Sequence, residues 1–383
     1  MTLPSSPPIT LLEIKTEFGG PGNLLSYHAG GSYVASGKAN GTGHTIPSSG
    51  TLSFYDFLGA SAAFLPGATF ANTIISVADL YYTPVACGYG AGLFVSAIAN
   101  GQIWSSPTGT TWTSRSTQSS FNTGSQQIPF LNSTYFLLGG HAGKYIYSTD
   151  GINWTAIQMN VGSGATNSEN YNLQAPFYIN GLYAFPGYSA PANGEPQIFT
   201  ASAVTSGTGW TGRAITGYTS VEAQCYGNFS SNGSLAMGFY ADSTNNSTIC
   251  AYSTNGTTWS AANVTSVMGQ TQTPNIVNDG TTFYAIGSAA NTVFTSTTGS
   301  TWTAHTNASF AGGGDGFFMG VNGIFLNITE SVLQYISSNP TTGTWITSNV
   351  ANVDTINSAT EGNNIYLLVG TDSGIYPAAF HYP

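Results

Sequence analysis

One turn recurs six times in this chain, and each copy places a tryptophan just beyond a glycine. In order these are Ser106-Pro-Thr-Gly-Thr-Thr-Trp112, Ser148-Thr-Asp150-Gly151-Ile-Asn-Trp154, Ser206-Gly-Thr-Gly-Trp210, Ser253-Thr-Asn-Gly256-Thr-Thr-Trp259, Ser296-Thr-Thr-Gly299-Ser-Thr-Trp302 and Thr342-Gly-Thr-Trp345. The tryptophans are 42 to 56 residues apart. That interval is the period of propellers and of arrays of small sheets. Each copy reads as a hairpin: an alternating apolar strand enters, glycine supplies a positive φ, and the next strand opens at the tryptophan. An aromatic and aliphatic run precedes every hairpin, as in Gly92-Leu-Phe-Val-Ser and Thr282-Phe-Tyr-Ala-Ile, and a seventh such run, Asn364-Ile-Tyr-Leu-Leu, has no tryptophan strand after it. A closed ring accounts for the mismatch, with the stretch from about Phe70 to Val85 supplying the missing outer strand. The expectation is an all-β fold: a β-propeller over residues 62–383, seven-bladed and closed by strands from both ends of the domain. An open solenoid or a sandwich of similar strands is the alternative.

Composition removes several functions. Of 383 residues only five are Lys or Arg, against fifteen Asp or Glu, for a formal net charge of −10. No phosphate-tracking surface for nucleic acid is expected from so few cations. No apolar run is long enough to span a membrane, and no basic-then-apolar leader opens the chain. The three cysteines, Cys87, Cys225 and Cys250, are widely spaced, so no disulfide framework and no zinc site is expected; they read as small buried apolar residues of a chain made in a reducing cytosol.

Residues 1–61 have a different texture, with short helical signals among Gly and Pro. Thr10 and Glu13 have capping-box spacing, Ile9 and Ile14 that of a hydrophobic staple, and a short helix is expected through Phe18. Leu24 to Tyr27 and Ser53 to Leu58 are two further short pieces, the latter with Ser53 as cap and Asp56 three residues on. So little apolar material in about 60 residues suggests folding against a partner.

Two resemblances follow from these residues. The turn around Asp150 and Trp154 is similar to the Asp-box of sialidase-like propellers, contracted by one residue; Asn255 and Thr298 replace the Asp elsewhere. In that family the box is a structural turn on the outer blade edge, so Trp112, Asp150, Gly151, Trp154, Trp210, Gly256, Trp259, Gly299, Trp302 and Trp345 imply fold rather than catalysis. The blocks Pro8-Ile-Thr-Leu-Leu-Glu-Ile-Lys-Thr-Glu-Phe18-Gly-Gly20, Leu25-Ser-Tyr27 and Ile46-Pro-Ser-Ser-Gly-Thr-Leu-Ser-Phe-Tyr-Asp56-Phe-Leu-Gly59, in that order, resemble a recurring N-terminal segment of tailed-bacteriophage structural proteins. Leu58 stands where Tyr is usual, and His28-Ala29 where Tyr and Arg often stand. The resemblance implies a virion component of the tail or its fibres, assembled in the host cytoplasm. Its N-terminus would dock on other phage tail proteins through Ile9, Leu12, Ile14, Phe18, Tyr27, Phe54 and Phe57.

No catalytic constellation is marked. A sialidase needs three arginines for the substrate carboxylate, and the chain has two, Arg115 and Arg213. A glycoside hydrolase needs a carboxylate pair; twelve acids lie beyond residue 61, Glu361 among them, and no pair is singled out by spacing. The five histidines lack metal-ligand spacing, and Gly312-Gly-Gly-Asp315 is not followed as a phosphate loop would be. The expectation is therefore a non-enzymatic binder without cofactor or metal. Its propeller loops, such as Tyr188 to Gln197 and Tyr240 to Asn246, would meet a host cell-surface glycan or receptor, with a homo-oligomer possible. A stand-alone lectin-like or glycan-hydrolysing propeller and a purely architectural decoration protein are the alternatives.

Overall fold

The computed structural model describes residues 10–18, 23–27, 34, 46–57, 71–74, 84–98, 101–117, 127–161, 171–189, 196–218, 223–224, 229–270, 274–287, 289, 291–312, 316–319, 325–329, 332–336, 339–349, 355–362, 365–372 and 376–382. Most of its regular structure is strand. After β1 (Ala71–Ile74), set one is β2 (Pro84–Gly90), β3 (Leu93–Ile98), β4 (Gln102–Ser106) and β5 (Thr113–Thr117). Set two is β6 (Phe130–Leu131), β7 (Tyr135–Gly139), β8 (Lys144–Ser148) and β9 (Thr155–Gln158). In set three β10 (Tyr171–Leu173) and β11 (Phe177–Ile179) share the first position, before β12 (Leu182–Ser189), β13 (Gln197–Ala201) and β14 (Thr211–Thr216). Set four likewise has β15 (Ala223–Gln224) and β16 (Ser230–Ser231), then β17 (Ala236–Asp242), β18 (Ser247–Ser253) and β19 (Trp259–Asn263). Set five is β20 (Asn275–Asn278), β21 (Phe283–Ile286), β22 (Thr292–Ser296) and β23 (Thr303–Thr306), and set six is β24 (Gly316–Met319), β25 (Phe325–Thr329), β26 (Val332–Ile336) and β27 (Ile346–Asn349). Set seven is β28 (Thr355–Gly362), β29 (Ile365–Asp372) and β30 (Tyr376–Tyr382).

Within every set each strand pairs antiparallel with the next, except that β10 and β11 both pair with β12, and β15 and β16 both with β17. Sets three and four are joined into one ten-stranded sheet by a two-residue parallel contact, Ile215 with Trp259 and Thr216 with Ser260. The fourth position of set seven is filled by β1, which pairs with β30 from Ala71 opposite His381 to Ile74 opposite Ala378. The chain thus closes on itself with the strand expected from residues 70–85. The first strands touch in the order β11, β16, β20, β24, β28, β2 and β6, and sets two and three meet where β10 touches β8.

Burial explains the composition of each position. Second and third strands are sandwiched between neighbouring sets, so both faces are apolar: β3, β7, β13 and β21 are buried almost throughout. Fourth strands face solvent and are rich in Thr and Ser; β9 and β23 are mostly exposed. β-branched polar residues satisfy an exposed pleated edge without needing charge.

The repeated turns lock one set to the one before it. In set two, the Ser148 hydroxyl accepts the N–H of Gly151 at 2.9 Å, and the Asp150 carboxylate accepts those of Ile152 and Asn153, both at 2.8 Å. Asn255 accepts the corresponding N–H groups of Thr257 and Thr258 at 2.9 and 2.8 Å. Gly151, Gly256 and Gly299 have φ of +71°, +75° and +79°. Each also sits close against the preceding set: a Cβ on Gly299 would lie 2.6 Å from that of Tyr252, and one on Gly256 2.9 Å from Ile179 Cγ2. The tryptophans pack the same way. Trp154 lies with Val95, Ala97 and Ile103, Trp259 with Phe177, Ala184 and Ile198, Trp302 with Met237, Phe239 and Cys250, and Trp345 with Tyr284, Ile286 and Val293. Trp210 reaches back to Tyr145, donating to its hydroxyl at 3.1 Å, and half-buried Trp112 packs with Leu367 and Val369 of set seven. The indole N–H of Trp112, Trp259 and Trp302 donates to the turn's own glycine carbonyl at 3.0 to 3.2 Å. That of Trp154 is buried without an acceptor. Where set seven meets set six no turn tryptophan is available, and Tyr366 and Leu368 pack with Phe318, Leu326 and Tyr335 instead.

Candidate functional site

The expected docking residues divide into two groups. The capping box is formed: Thr10 N–H and Oγ1 both donate to Glu13 Oε2, at 2.6 and 2.8 Å, and Glu13 N–H donates to Thr10 Oγ1 at 3.2 Å, opening α1 (Leu11–Phe18). Ser53 N–H likewise donates to Asp56 Oδ2 at 2.6 Å, at the start of the 3₁₀ turn Phe54–Phe57. Ile14, Tyr27 and Phe57, however, point inward. With Val34, Ile46 and Leu52 they form a small closed core, Tyr27 and Phe57 meeting edge to face at 6.4 Å. These three are corrected from contact residues to core residues, because the segment buries its own scarce apolar side chains. Leu12 of α1 and Leu25 of the 3₁₀ turn Leu24–Tyr27 are exposed, at 71% and 58%. Ile9 lies outside the described residues, as do the side chains of Phe18 and Phe54.

The loops expected to hold ligand are also partly resolved into structure. Asp242 ends β17 fully buried, its carboxylate accepting the backbone and side-chain N–H of Asn245 at 3.1 and 2.8 Å, so it builds a hairpin turn instead of presenting an acid. Residues 190–195 lie outside the described residues. Cys87 and Cys250 are buried free thiols, and burial pushes both up to about 12. No group of three or more His, Cys, Asp or Glu among the described residues is placed to hold a metal, and no helix among them is long and apolar enough to cross a membrane.

A cavity of about 330 Å³ lies where the first strands converge. It takes Cys87 to Tyr89 from β2, Gln127 to Phe130 at the start of set two, Phe229 and Ser230 from set four, Ile276 to Asn278 from β20, Phe318 from β24 and Ala359 to Glu361 from β28. Neighbouring first strands are stitched across its wall. Cys87 N–H donates to the Ser358 hydroxyl at 3.2 Å, Ile128 N–H to the Cys87 carbonyl at 3.0 Å, and Asn278 Nδ2 to the Ser230 hydroxyl at 2.7 Å.

Glycines shape the aromatic part of this wall. The Tyr89 ring occupies the place a Cβ on Gly362 would need, and the Phe130 ring that of Gly90. Gly88 lets β2 approach the carbonyl of Ile128. Tyr89 is further held by Phe94, ring centroids 4.7 Å apart, and Phe130 by Phe136 at 4.6 Å. Burial pushes the Tyr89 hydroxyl above its ordinary value. Amide, hydroxyl and carboxylate groups share the lining with these rings, and Glu361 is the one ionisable carboxylate among the described lining residues. The repeated turns carry no mark of this site; the alternation Cys87-Gly88-Tyr89-Gly90 is a local signal of it.

No protein-family model matches the chain, and no curated protein sequence does. Solved structures do. "YCF48 bound to D1 peptide" superposes with a TM-score of 0.55 at 13% identity, over 83% of this chain and 99% of that one. Streptogramin B lyase gives 0.57 at 11% identity, over 81% and 96%. A catalytically inactive virginiamycin B lyase from Staphylococcus aureus with quinupristin gives 0.55 at 11% identity, over 82% and 100%. The WD40 β-propeller domain of Doa1 gives 0.50 at 11% identity, over 81% and 97%. At these identities the likeness is one of fold, and with the sheet order and the ring of first strands it identifies this chain as an all-β propeller with a few short helices.

Proposed function

We propose that the chain is a tailed-bacteriophage virion protein of the tail or its fibres. Residues 1–61 dock it to other tail proteins, and residues 62–383 form a seven-bladed propeller that recognises the host surface. The observation that carries this reading is the N-terminal segment. Its three sequence blocks resemble a phage docking segment, and they fold into two capped turns around a core of their own with Leu12 and Leu25 left outside. The seven-blade count rests on five four-stranded sheets plus one ten-stranded sheet that divides at the contact of β14 with β19.

The propeller acts as a binder. Two of its structural neighbours hold a ligand, YCF48 a D1 peptide and a catalytically inactive virginiamycin B lyase quinupristin. A hydrolase would need a second carboxylate roughly 5 to 10 Å from the first, and Glu361 has no such companion among the described lining residues. Immunogold labelling of intact virions with antibody against residues 62–383 tests the assignment. Label at the distal tail or fibre tips is expected. Label confined to the head or tail shaft would favour an architectural role, and unlabelled virions would defeat the assignment.

A further inference from the structure

The two arginines of this chain stand in equivalent places. Arg115 and Arg213 are each the third residue after a turn tryptophan, Trp112 and Trp210, and His305 has that position after Trp302. They lie on the fourth strands β5, β14 and β23, of sets one, three and five. Each is anchored to the third strand of its own set. Arg115 Nε donates to the Ser105 hydroxyl at 2.7 Å and Arg213 Nε to that of Thr200 at 3.1 Å, while His305 Nε2 is hydrogen-bonded to that of Thr295 at 2.8 Å. The three hydroxyls share one register position, opposite the residue that follows the tryptophan: Ser105 pairs with Thr113, Thr200 with Thr211 and Thr295 with Thr303. Ser105 and Thr200 are buried.

The intervening sets differ. At the same register stand Tyr147, opposite Thr155, Tyr252, opposite Ser260, and Tyr335, opposite Ile346. Ile157 and Ala262 take the arginine position in sets two and four. Side chains alternate across a strand, so these positions point away from the tryptophan, towards the following set. Tyr147 and Ile157 accordingly pack with Phe185 and Phe199 of set three, and Tyr252 and Ala262 with Phe283 and Phe294 of set five. Apolar side chains therefore satisfy this position as packing. Sets one and three place a guanidinium there instead, in a chain with only five Lys and Arg against fifteen Asp and Glu.

Both arginines are half-buried. Among the described residues Nε is the only nitrogen of either guanidinium with a protein partner, and neither arginine is paired with a carboxylate. A guanidinium tethered through Nε keeps its Nη groups for an anion, and the tether lowers the ordering cost of binding one. The strand surface beside them is uncharged and rich in hydroxyls, with Thr113, Ser114 and Thr211 exposed. Such a surface fits isolated anions on a neutral, hydroxylated backbone. A dense polyanion is disfavoured by the formal net charge of −10. We propose that the outer edges of alternate sets bind an acidic polysaccharide with spaced carboxylates. Arg115 and Arg213 each take a carboxylate, and His305 marks the third equivalent position. This names the ligand class for the host-surface reading and rests on it.

The test is biolayer interferometry on the full chain. Probes are hyaluronan, in which a uronate alternates with a neutral sugar, its carboxyl-reduced counterpart, and polyphosphate. Hyaluronan should bind more tightly than the reduced polymer, and the difference should shrink as salt is added. Arg115→Gln and Arg213→Gln should each weaken hyaluronan binding about two- to fivefold, and together by about the product, since the two sites share no partner. Urea midpoints check that the variants fold. The carboxyl preference and its salt dependence are read on the unmodified chain and need no variant. Equal binding of the reduced polymer, an unchanged affinity in the folded double variant, or tighter binding of polyphosphate would overturn the assignment. Virion labelling is scored separately. Tip label without a carboxyl preference defeats the rim assignment alone, and hyaluronan binding by a chain missing from virions defeats the virion reading alone.

Discussion

Replacing turn glycines by alanine separates two reasons for the glycine. Gly209, Gly256 and Gly299 all have positive φ, at +88°, +75° and +79°. Alanine in that conformation costs about 1 to 2 kcal/mol wherever it stands. The surroundings differ. A Cβ on Gly209 meets nothing within 4 Å. On Gly256 it meets the Cγ2 methyl of Ile179 at 2.9 Å and the Cδ1 methyl of Leu182 at 3.2 Å, both further off than the nearest atoms at Gly299. On Gly299 it lies 2.6 Å from the Cβ and 2.8 Å from the Cγ of Tyr252, and that Cβ is fixed to β18. Overpacking a fixed neighbour adds about 1 to 3 kcal/mol. Gly209→Ala should therefore lose about 1 to 2 kcal/mol and Gly299→Ala about 2 to 5 kcal/mol, with Gly256→Ala between them. Urea unfolding followed by tryptophan fluorescence measures this as a shift in midpoint at constant slope. Equal losses at the three sites would refute the argument that these turns bear on the preceding set; so would a larger loss at Gly209.

Two further outcomes follow from ionisation. Burial tends to raise the Asp150 carboxyl, but bonds from the N–H groups of Asn153 and Ile152, the Asn153 amide and the Ser148 hydroxyl outweigh it and hold the group at about 2, below an ordinary 3.8. The folded value is depressed, so the stabilisation is complete above about pH 4 and fades as pH falls towards 2. Asp150→Asn should keep near-normal stability at pH 7, since Asn255 serves in the equivalent turn, and should lose that acid-range slope when urea midpoints are compared from pH 5 to 2.5. Cys87 and Cys250, with thiols pushed up to about 12, should resist iodoacetamide at pH 8 in the native chain and react fully in urea, as read by peptide mass mapping.

Some features were legible because they are made within a few residues. The serine hydroxyl that holds a glycine N–H, the acceptor at Asp150 or Asn255, and the reciprocal bonds of Thr10 with Glu13 all close rings of three or four residues. Strand positions were legible for a related reason. An unpaired seventh run implied a donor strand, and Ala71–Ile74 supplies it. Side-chain direction was less accessible. Ile14, Tyr27 and Phe57 read equally well as surface contacts or as core, and only the convergence of Val34, Ile46 and Leu52 turns them inward. Asp242 read as a loop acid until Asn245 folded back on it.

The sequence by itself determined the period of the sheets, the turns that end them and the scarcity of cations, since each depends on neighbouring residues or on counts. The tertiary structure alone decided that every turn tryptophan serves the interface with the set before it. It alone brought Tyr89, Phe130, Asn278 and Glu361, from four different sets, around one cavity. The physical reason is distance along the chain: those residues are brought together by ring closure and strand register, which no local pattern encodes.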